Sequence, residues 1–381
     1  MNMQTILLTG VTGQVVSEVA LDLQKRGHRL LYVIRPTATE SAVMRLEKIL
    51  PTIREGLDIA IEGDITLPLG GFSAEDIDKW AGKVDKILHG AAAISFEDKD
   101  AESVRATNLG GTANMLKLAD TLGVTDFHYI STAYISGSAP VFRETDLDIG
   151  QDSFNAYERS KMAAEKLVHG WCGGRFSIYR LPTVLGSSAD GRVLTYHSYY
   201  GFFMPFWRML KSWRRRWDAD KEDCTSKGVT FDKQGVMNIP LYIDCSETSV
   251  LNMVCVDWVA QMMSELVSLP TSDQTYHLVD PAPMRVKDVI VESLAHMGVT
   301  GIVYDADELP PLSPLLAKVQ EGIKENIRIY QQYIKHGSIF LCDNLVSKLG
   351  EKYVPHPVVD SNMLRKMLGY AMLDDFGKRQ K

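Results

Sequence analysis

Tyr157 and Lys161 stand four residues apart in the stretch Asn155-Ala-Tyr157-Glu-Arg-Ser-Lys161-Met-Ala-Ala-Glu165. On a helix, that spacing puts both side chains on one face about one turn apart. Ala163, Ala164, Glu165 and Lys166 favour the helix. An ammonium beside a phenol favours the phenolate and draws the tyrosine pKa down from its usual ~10. A tyrosine so placed can pass a proton to or from a reacting oxygen near neutral pH. The same pair would also suit an exposed, solvated helix. It gains chemical meaning only if the rest of the chain builds a redox site beside it.

The elements that must position the pair begin at the N-terminus. Thr5–Thr9 reads as a short buried strand, Gly10-Val-Thr-Gly13 as a turn, Ser17 to Arg26 as a helix stopped by Gly27, and Leu30–Ile34 as a second strand. Strand, glycine turn, helix and strand in about 30 residues make a βαβ unit and a parallel sheet. The glycine turn lets backbone N–H groups approach a pyrophosphate at a helix N-terminus. The fingerprint is incomplete, because Val16 stands where a third glycine is expected. The second strand ends in Arg35-Pro36 rather than in an acidic residue. A cation there suits the 2′-phosphate of NADP, where a carboxylate would bind the ribose hydroxyl of NAD.

Ile59 to Ile65 gives a third strand ending in Gly63-Asp64, with Asp64 placed to bond an adenine and Ile65 to pack on it, or Asp64 simply to cap a turn. Lys86 to Ala93 is a fourth strand running into small residues, among them Ala91 and Ala92, over which a cofactor can lie flat. His89 reads as a packed structural histidine. Asn108 reads as a buried polar anchor opening a helix that continues to Ala119. Phe127–Ser131 is a fifth strand, and Thr132 follows at its carboxyl end, where ligands of open parallel sheets bind. Phe176 to Gly186 is a sixth strand and its exit loop, with Leu181, Pro182, Thr183 and Val184 at the expected nicotinamide border.

Bulk composition narrows the function classes. The chain has 381 residues, 45% hydrophobic and 23% charged, enough for a well-buried core and a second lobe. A net charge of −7 argues against a general nucleic-acid binder. Five cysteines without a C-x-x-C pair make a disulfide framework or a metal site unexpected and suit a reducing, cytoplasmic setting. No secretory leader and no apolar run of about 18 residues is read. Tyr196 to Trp217 crowds aromatics with cations, from Tyr199 and Phe202 to Arg214, Arg215 and Arg216. That composition serves a greasy phosphate-bearing substrate, a membrane-surface helix or a plain amphipathic core helix equally well. Leu251 to Ala260 reads as a strand entering a helix with Asp257 as its cap, Gln274–Val279 as a strand, and Pro310 to Phe376 as a helical lid or lobe.

With these residues in place, the chain resembles the extended short-chain dehydrogenase/reductases, and within them the thioester-reductase and male-sterility branch. That branch includes fatty acyl-CoA reductases and the terminal reductase domains of carboxylic acid reductases and nonribosomal peptide synthetases. The resemblance rests on Thr9-Gly-Val-Thr-Gly13, Val33-Ile-Arg35-Pro36, Gly63-Asp64, His89-Gly-Ala-Ala92, Asn108-Leu-Gly-Gly-Thr112, Ile130-Ser-Thr132-Ala-Tyr134, Tyr157-Glu-Arg-Ser-Lys161 and Arg180-Leu-Pro182. It covers most of the chain. It implies an α/β fold: a Rossmann-type doubly wound parallel sheet with a smaller C-terminal substrate lobe. The cofactor domain is expected over 1–190 plus about 236–280, and the lobe over 191–235 and 281–381. NADP(H) is the implied cofactor, bound by Thr9, Gly10, Thr12, Gly13, Gln14, Val15, Arg35, Asp64, Ile65, Ala91, Ala92, Asn108, Lys161, Leu181, Pro182, Thr183 and Val184. Thr132, Tyr157 and Lys161 are the implied catalytic residues, and no metal is required. The implied reaction reduces an acyl thioester, supplied in trans on CoA or on the phosphopantetheine of a carrier protein, to an aldehyde or onward to the alcohol. The same trio would serve an NADP-dependent ketone or aldehyde reductase or alcohol dehydrogenase, and a third reading is an NADP-binding sensor without turnover.

Overall fold

The strand Thr5–Thr9 (β1) is buried along its whole length, as a strand covered on both faces of a parallel sheet must be. Its side chains alternate between two cores: Ile6 and Leu8 enter one, Leu7 the other. The computed structural model describes residues 3–304 and 311–378. After β1 come Gln14–Lys25 (α1), Arg29–Ile34 (β2), Asp58–Glu62 (β3), Lys86–His89 (β4), Gly111–Leu122 (α2), Asp126–Thr132 (β5), Ala156–His169 (α3), Arg175–Leu181 (β6), Val256–Ser268 (α4) and Gln274–His277 (β7).

These strands form one seven-stranded sheet in the order β7-β6-β5-β4-β1-β2-β3. Every neighbouring pair in it is parallel. The direction in which strands are added reverses between β1 and β4. At such a switch point the loops diverge and leave a crevice outside the carboxyl ends of the strands. Helices α1 and α4 cover one face, packing Val19, Leu23 and Met263 on Leu8 and Tyr32. On the other face α2 and α3 pack Met115, Leu118 and Val168 on Leu7, Leu31 and Phe127.

Two local readings change. The helix expected from Asn108 begins at Gly111, and residues 106–110 wind as a wider π turn. That turn aims the Asn108 side chain sideways into the protein, where Asn108 is 1% exposed. Asp257 does not cap α4. Cys255 holds the cap position without a side-chain bond, and Asp257 lies in the first turn, where its charge still complements the helix N-terminus.

The chain divides into two compact units: Met1–Val184 with Val254–Pro281 and Phe340–His356, and Leu185–Met253 with Ala282–Ile339 and Pro357–Lys381. Residues 236–253 thus fall with the second unit, where Met237–Asn238 pairs in parallel with Val299–Thr300. Residues 340–356 fall with the first, where Leu345 and Leu349 join its core. In the second unit the aromatic stretch forms the helix Tyr199–Ala219, with Tyr199, Tyr200, Phe202, Phe203, Phe206 and Trp213 buried. Its cations are held outside that stripe: Lys211 pairs with Asp375 at 2.7 Å and Arg214 stacks on Phe231. The rings are therefore spent on packing, as in an amphipathic core helix. Among the described residues no helix is long and apolar enough to cross a membrane.

Candidate active site

The turn after β1 is built for close approach. Gly10 adopts φ +89°, and a Cβ there would lie 2.7 Å from the Ala91 backbone nitrogen. Gly13 caps α1 with no side-chain bond, so nothing bulky stands over the first turn of the helix. Thr12, Gln14 and Val15 follow along this turn and the start of α1. This bare cradle at a helix N-terminus fits the pyrophosphate of a dinucleotide. Val16 is accommodated from the opposite side: a Cβ on Gly90 would come 2.5 Å from Val16 Cγ2. The space a third fingerprint glycine would leave on the helix is left on the strand instead.

Thr9 turns inward. Its hydroxyl pairs with His89 Nδ1 at 2.7 Å and accepts the N–H groups of Gly90 and Ala91 at 3.2 and 3.1 Å. His89 is packed between Thr9 and Thr112, and burial pulls its pKa down to about 3. It therefore stays neutral and serves as a brace between β1, β4 and α2.

At the ends of β2 and β3, Arg35 and Asp64 come together, 3.7 Å apart. Burial works against the Asp64 charge, but the Thr66 N–H and hydroxyl and the Arg35 guanidinium hold its pKa below the usual carboxylate value. Ile65 is buried against Gly111, and its carbonyl accepts Asn114 Nδ2 at 2.9 Å. Ala91 and Ala92 start the loop after β4. Asn108 ties that loop down, accepting the Ala93 N–H at 2.8 Å and donating to the Ala93 carbonyl. The same amide donates to Ser160 Oγ at 2.9 Å, which fixes the loop to α3.

The third corner lies at the end of β5. Asn155 caps α3 by accepting the Glu158 N–H at 3.0 Å, and the Glu158 carboxylate accepts the Phe154 N–H at 2.7 Å. These two bonds fix where α3 starts, and hence where Tyr157 and Lys161 point. Thr132 stands beside the Tyr157 phenol and favours its ionised form. The Thr132 hydroxyl donates to the Leu181 carbonyl at 3.2 Å and accepts the Tyr134 N–H. Lys161 donates to the Ile130 carbonyl at 2.6 Å, and its ammonium lies 4.1 Å from the centre of the Tyr129 ring. Thr183, beyond β6, pairs with the Tyr134 hydroxyl at 2.8 Å. Thr132, Tyr157, Lys161, Leu181 and Thr183 are thus brought together by β5, α3 and β6.

The electrostatics differ from expectation. Burial and the Glu158 charge push the Tyr157 pKa above its ordinary value, outweighing the opposite influence of Thr132. Lys161 has spent its ammonium on Ile130 and Tyr129, and burial pulls it down to about 7 despite Glu165. At neutral pH the phenol therefore keeps its proton and is a donor. Sequence reasoning missed Tyr129, the aromatic seat of Lys161, and Phe96, which meets Tyr157 edge-on at 5.8 Å. It also missed the Ser160 bridge. Tyr129 and Lys161 are neighbours only through sheet and helix packing, which no local spacing reports. Ser160 could have been suspected from its place directly before Lys161.

The male sterility protein family model, an NAD-binding one, matches residues 8–263. The chain belongs to that family. The match is to an NAD-binding region, in keeping with a nicotinamide cofactor. It is 27% identical over 317 residues to the glycine betaine reductase ATRR of Emericella nidulans, covering 77% of this chain and 22% of that protein. It is 29% identical over 214 residues to a carboxylic acid reductase of Mycobacterium marinum, covering 49% of this chain and 18% of that one. The chain therefore spans less than a quarter of either relative. Among solved structures it superposes on the terminal R domain from the myxalamid PKS-NRPS biosynthetic pathway, with TM-score 0.76, 23% identity, and coverage of 99% of this chain and 92% of that one. A thiolation-reductase di-domain from an archaeal non-ribosomal peptide synthetase gives TM-score 0.71 at 18% identity, covering 99% of this chain and 76% of that one. At these identities the likeness speaks for the fold.

Proposed function

We propose that the protein is an NADPH-dependent reductase of acyl thioesters, presented on CoA or on the phosphopantetheine arm of a carrier protein. The observation that carries this reading is the placing of Thr132, at the end of β5, beside the Tyr157 phenol, with Lys161 one turn further along α3. The curated relatives above are, by name, reductases, one of them of carboxylic acids. NADPH, when bound, supplies the hydride. Once the Thr132 hydroxyl exchanges the Leu181 carbonyl for the substrate oxygen, two hydroxyl donors face that oxygen and stabilise the negative charge that develops on it as hydride adds to carbon. A Tyr157 phenol that keeps its proton is suited to deliver it to that oxygen. The hemithioacetal so formed loses its thiol to leave an aldehyde: one thioester, one hydride and one proton give one aldehyde and one thiol. The preference for NADPH over NADH rests on Arg35, a cation at the end of β2 where the 2′-phosphate would lie.

The test supplies NADPH and a panel of acyl-CoAs and carrier-bound acyl groups, following cofactor oxidation and free thiol together. Thiol release in step with oxidation is expected, and the ratio of the two separates aldehyde from alcohol. Oxidation by free ketones or aldehydes, with none by any thioester, would overturn the reading.

A further inference from the structure

The second unit contains a cavity of about 200 Å³ that the proposed reaction does not use. One wall is the segment from Pro240 to Asp244, and the other is the helix Pro314–Ile327 with the turn that follows it. The two walls are latched together by Gln320, whose amide accepts the Tyr242 N–H at 2.7 Å and donates to the Tyr242 carbonyl at 2.9 Å. A side chain that satisfies both groups of one strand residue holds the walls at a fixed separation, so the cavity is preformed. Leu241, Ile243, Ile327 and Ile334 line it, each at most 8% exposed.

The mouth is charged on one side only. Lys324 and Arg328 line the cavity and are exposed, so they sit at its opening. Arg328 meets Glu325 at 3.2 Å, while Lys324 meets no carboxylate among the described residues. The one acid in the lining, Asp244, is neutralised by Lys335. An apolar cavity of about 150 Å³ suffices to hold a benzene ring. This one has room for a longer aliphatic segment, with a cation waiting where the segment would emerge.

We propose that this cavity binds the tail of a straight-chain carboxylate of about six to eight carbons, with its carboxylate at Lys324. Charge complementarity selects the anion, since an amine head would face Lys324 and Arg328. The inference concerns binding alone and does not depend on the thioester reading.

Calorimetric titration of the full chain with hexanoate, octanoate, dodecanoate and octanol tests it. Octanoate should bind, about fourfold more tightly per methylene up to the cavity length. Dodecanoate should gain nothing further. Ile327→Trp, which fills the cavity, should abolish binding. Lys324→Glu should weaken octanoate about tenfold and leave octanol unchanged. If Ile327→Trp does not fold by circular dichroism, Leu312→Trp, at a less buried lining position, makes the same test. Absence of octanoate binding to the unmodified chain, binding undiminished by the filling variant, or equal loss of octanoate and octanol in Lys324→Glu would each overturn the proposal.

Discussion

Arg35 and Asp64 at the ends of β2 and β3 lie 3.7 Å apart with the arginine side chain 70% exposed, whereas Lys161, behind the end of β5, is 3% exposed. Both places lie along the carboxyl edge of one sheet. At the first, charge is left in water, where an ion pair contributes little and an arriving phosphate can displace it cheaply. At the second, charge is stripped of water, so the groups must be satisfied by the protein itself. Lys161 has the Ile130 carbonyl and the Tyr129 ring, and Tyr157 packs against Phe96 beside Thr132. The open end is suited to recognition, and the dry end to a reaction in which small displacements of a proton matter.

If that contrast holds, substitutions at the dry end should cost most. Tyr157→Phe is expected to lower kcat roughly a thousandfold or more, ~4 kcal/mol, with NADPH affinity within about twofold of the original. Stopped-flow cofactor oxidation and fluorescence titration measure the two; normal turnover would remove Tyr157 as the acid. Next comes the ion pair one turn beyond Lys161. Glu165 binds Arg180 at 2.7 Å with both side chains 0% exposed. Glu165→Gln leaves the guanidinium buried and uncompensated, and should cost about 3 to 4 kcal/mol in urea unfolding. A loss below about 1 kcal/mol would mean water reaches this corner after all.

A smaller effect tests the cradle between the two ends. Gly90→Ala forces a methyl group against Val16 and Ile130, at 2.5 and 2.8 Å, and should destabilise by about 2 kcal/mol. Adding Val16→Gly should recover part of this loss, because it restores room on the helix side. Without any recovery in the double variant, the exchange of space between Val16 and Gly90 is not real. The smallest effect belongs to the wet end. Arg35→Ala should raise the KM for NADPH about tenfold and leave NADH unchanged, and the difference should shrink as salt is added. Equal losses for both cofactors would remove the 2′-phosphate role.

What the sequence disclosed followed the range of the physics involved. Local patterns were readable: the buried run of β1, the helix that carries Tyr157 and Lys161, the turn at Gly10. So was the parallel sheet, because βαβ spacing dictates it. The π turn at Asn108 was not, since nothing in the residues from Ala106 to Gly110 distinguishes it from an ordinary helix start. The compensation of Val16 by Gly90 was equally hidden, because the two residues meet only through the packing of α1 on the strand ends. The direction of the Tyr157 shift was misread for a related reason. The four-residue spacing reports Lys161 as a neighbour, but it cannot report that Ile130 and Tyr129 already hold the ammonium, nor how much water is removed.

The sheet order has a consequence for how the chain is made. On the ribosome, β6 emerges and can pair with β5 well before its other neighbour exists. The strand β7, which completes that side, is encoded roughly a hundred residues later. At typical synthesis rates that is a wait of roughly 5 to 20 s. Throughout it, a strand whose Phe176, Ile178 and Tyr179 are destined for burial presents an unpaired edge. The last strand therefore acts late, as the closure of an edge that the nascent protein must keep from other chains.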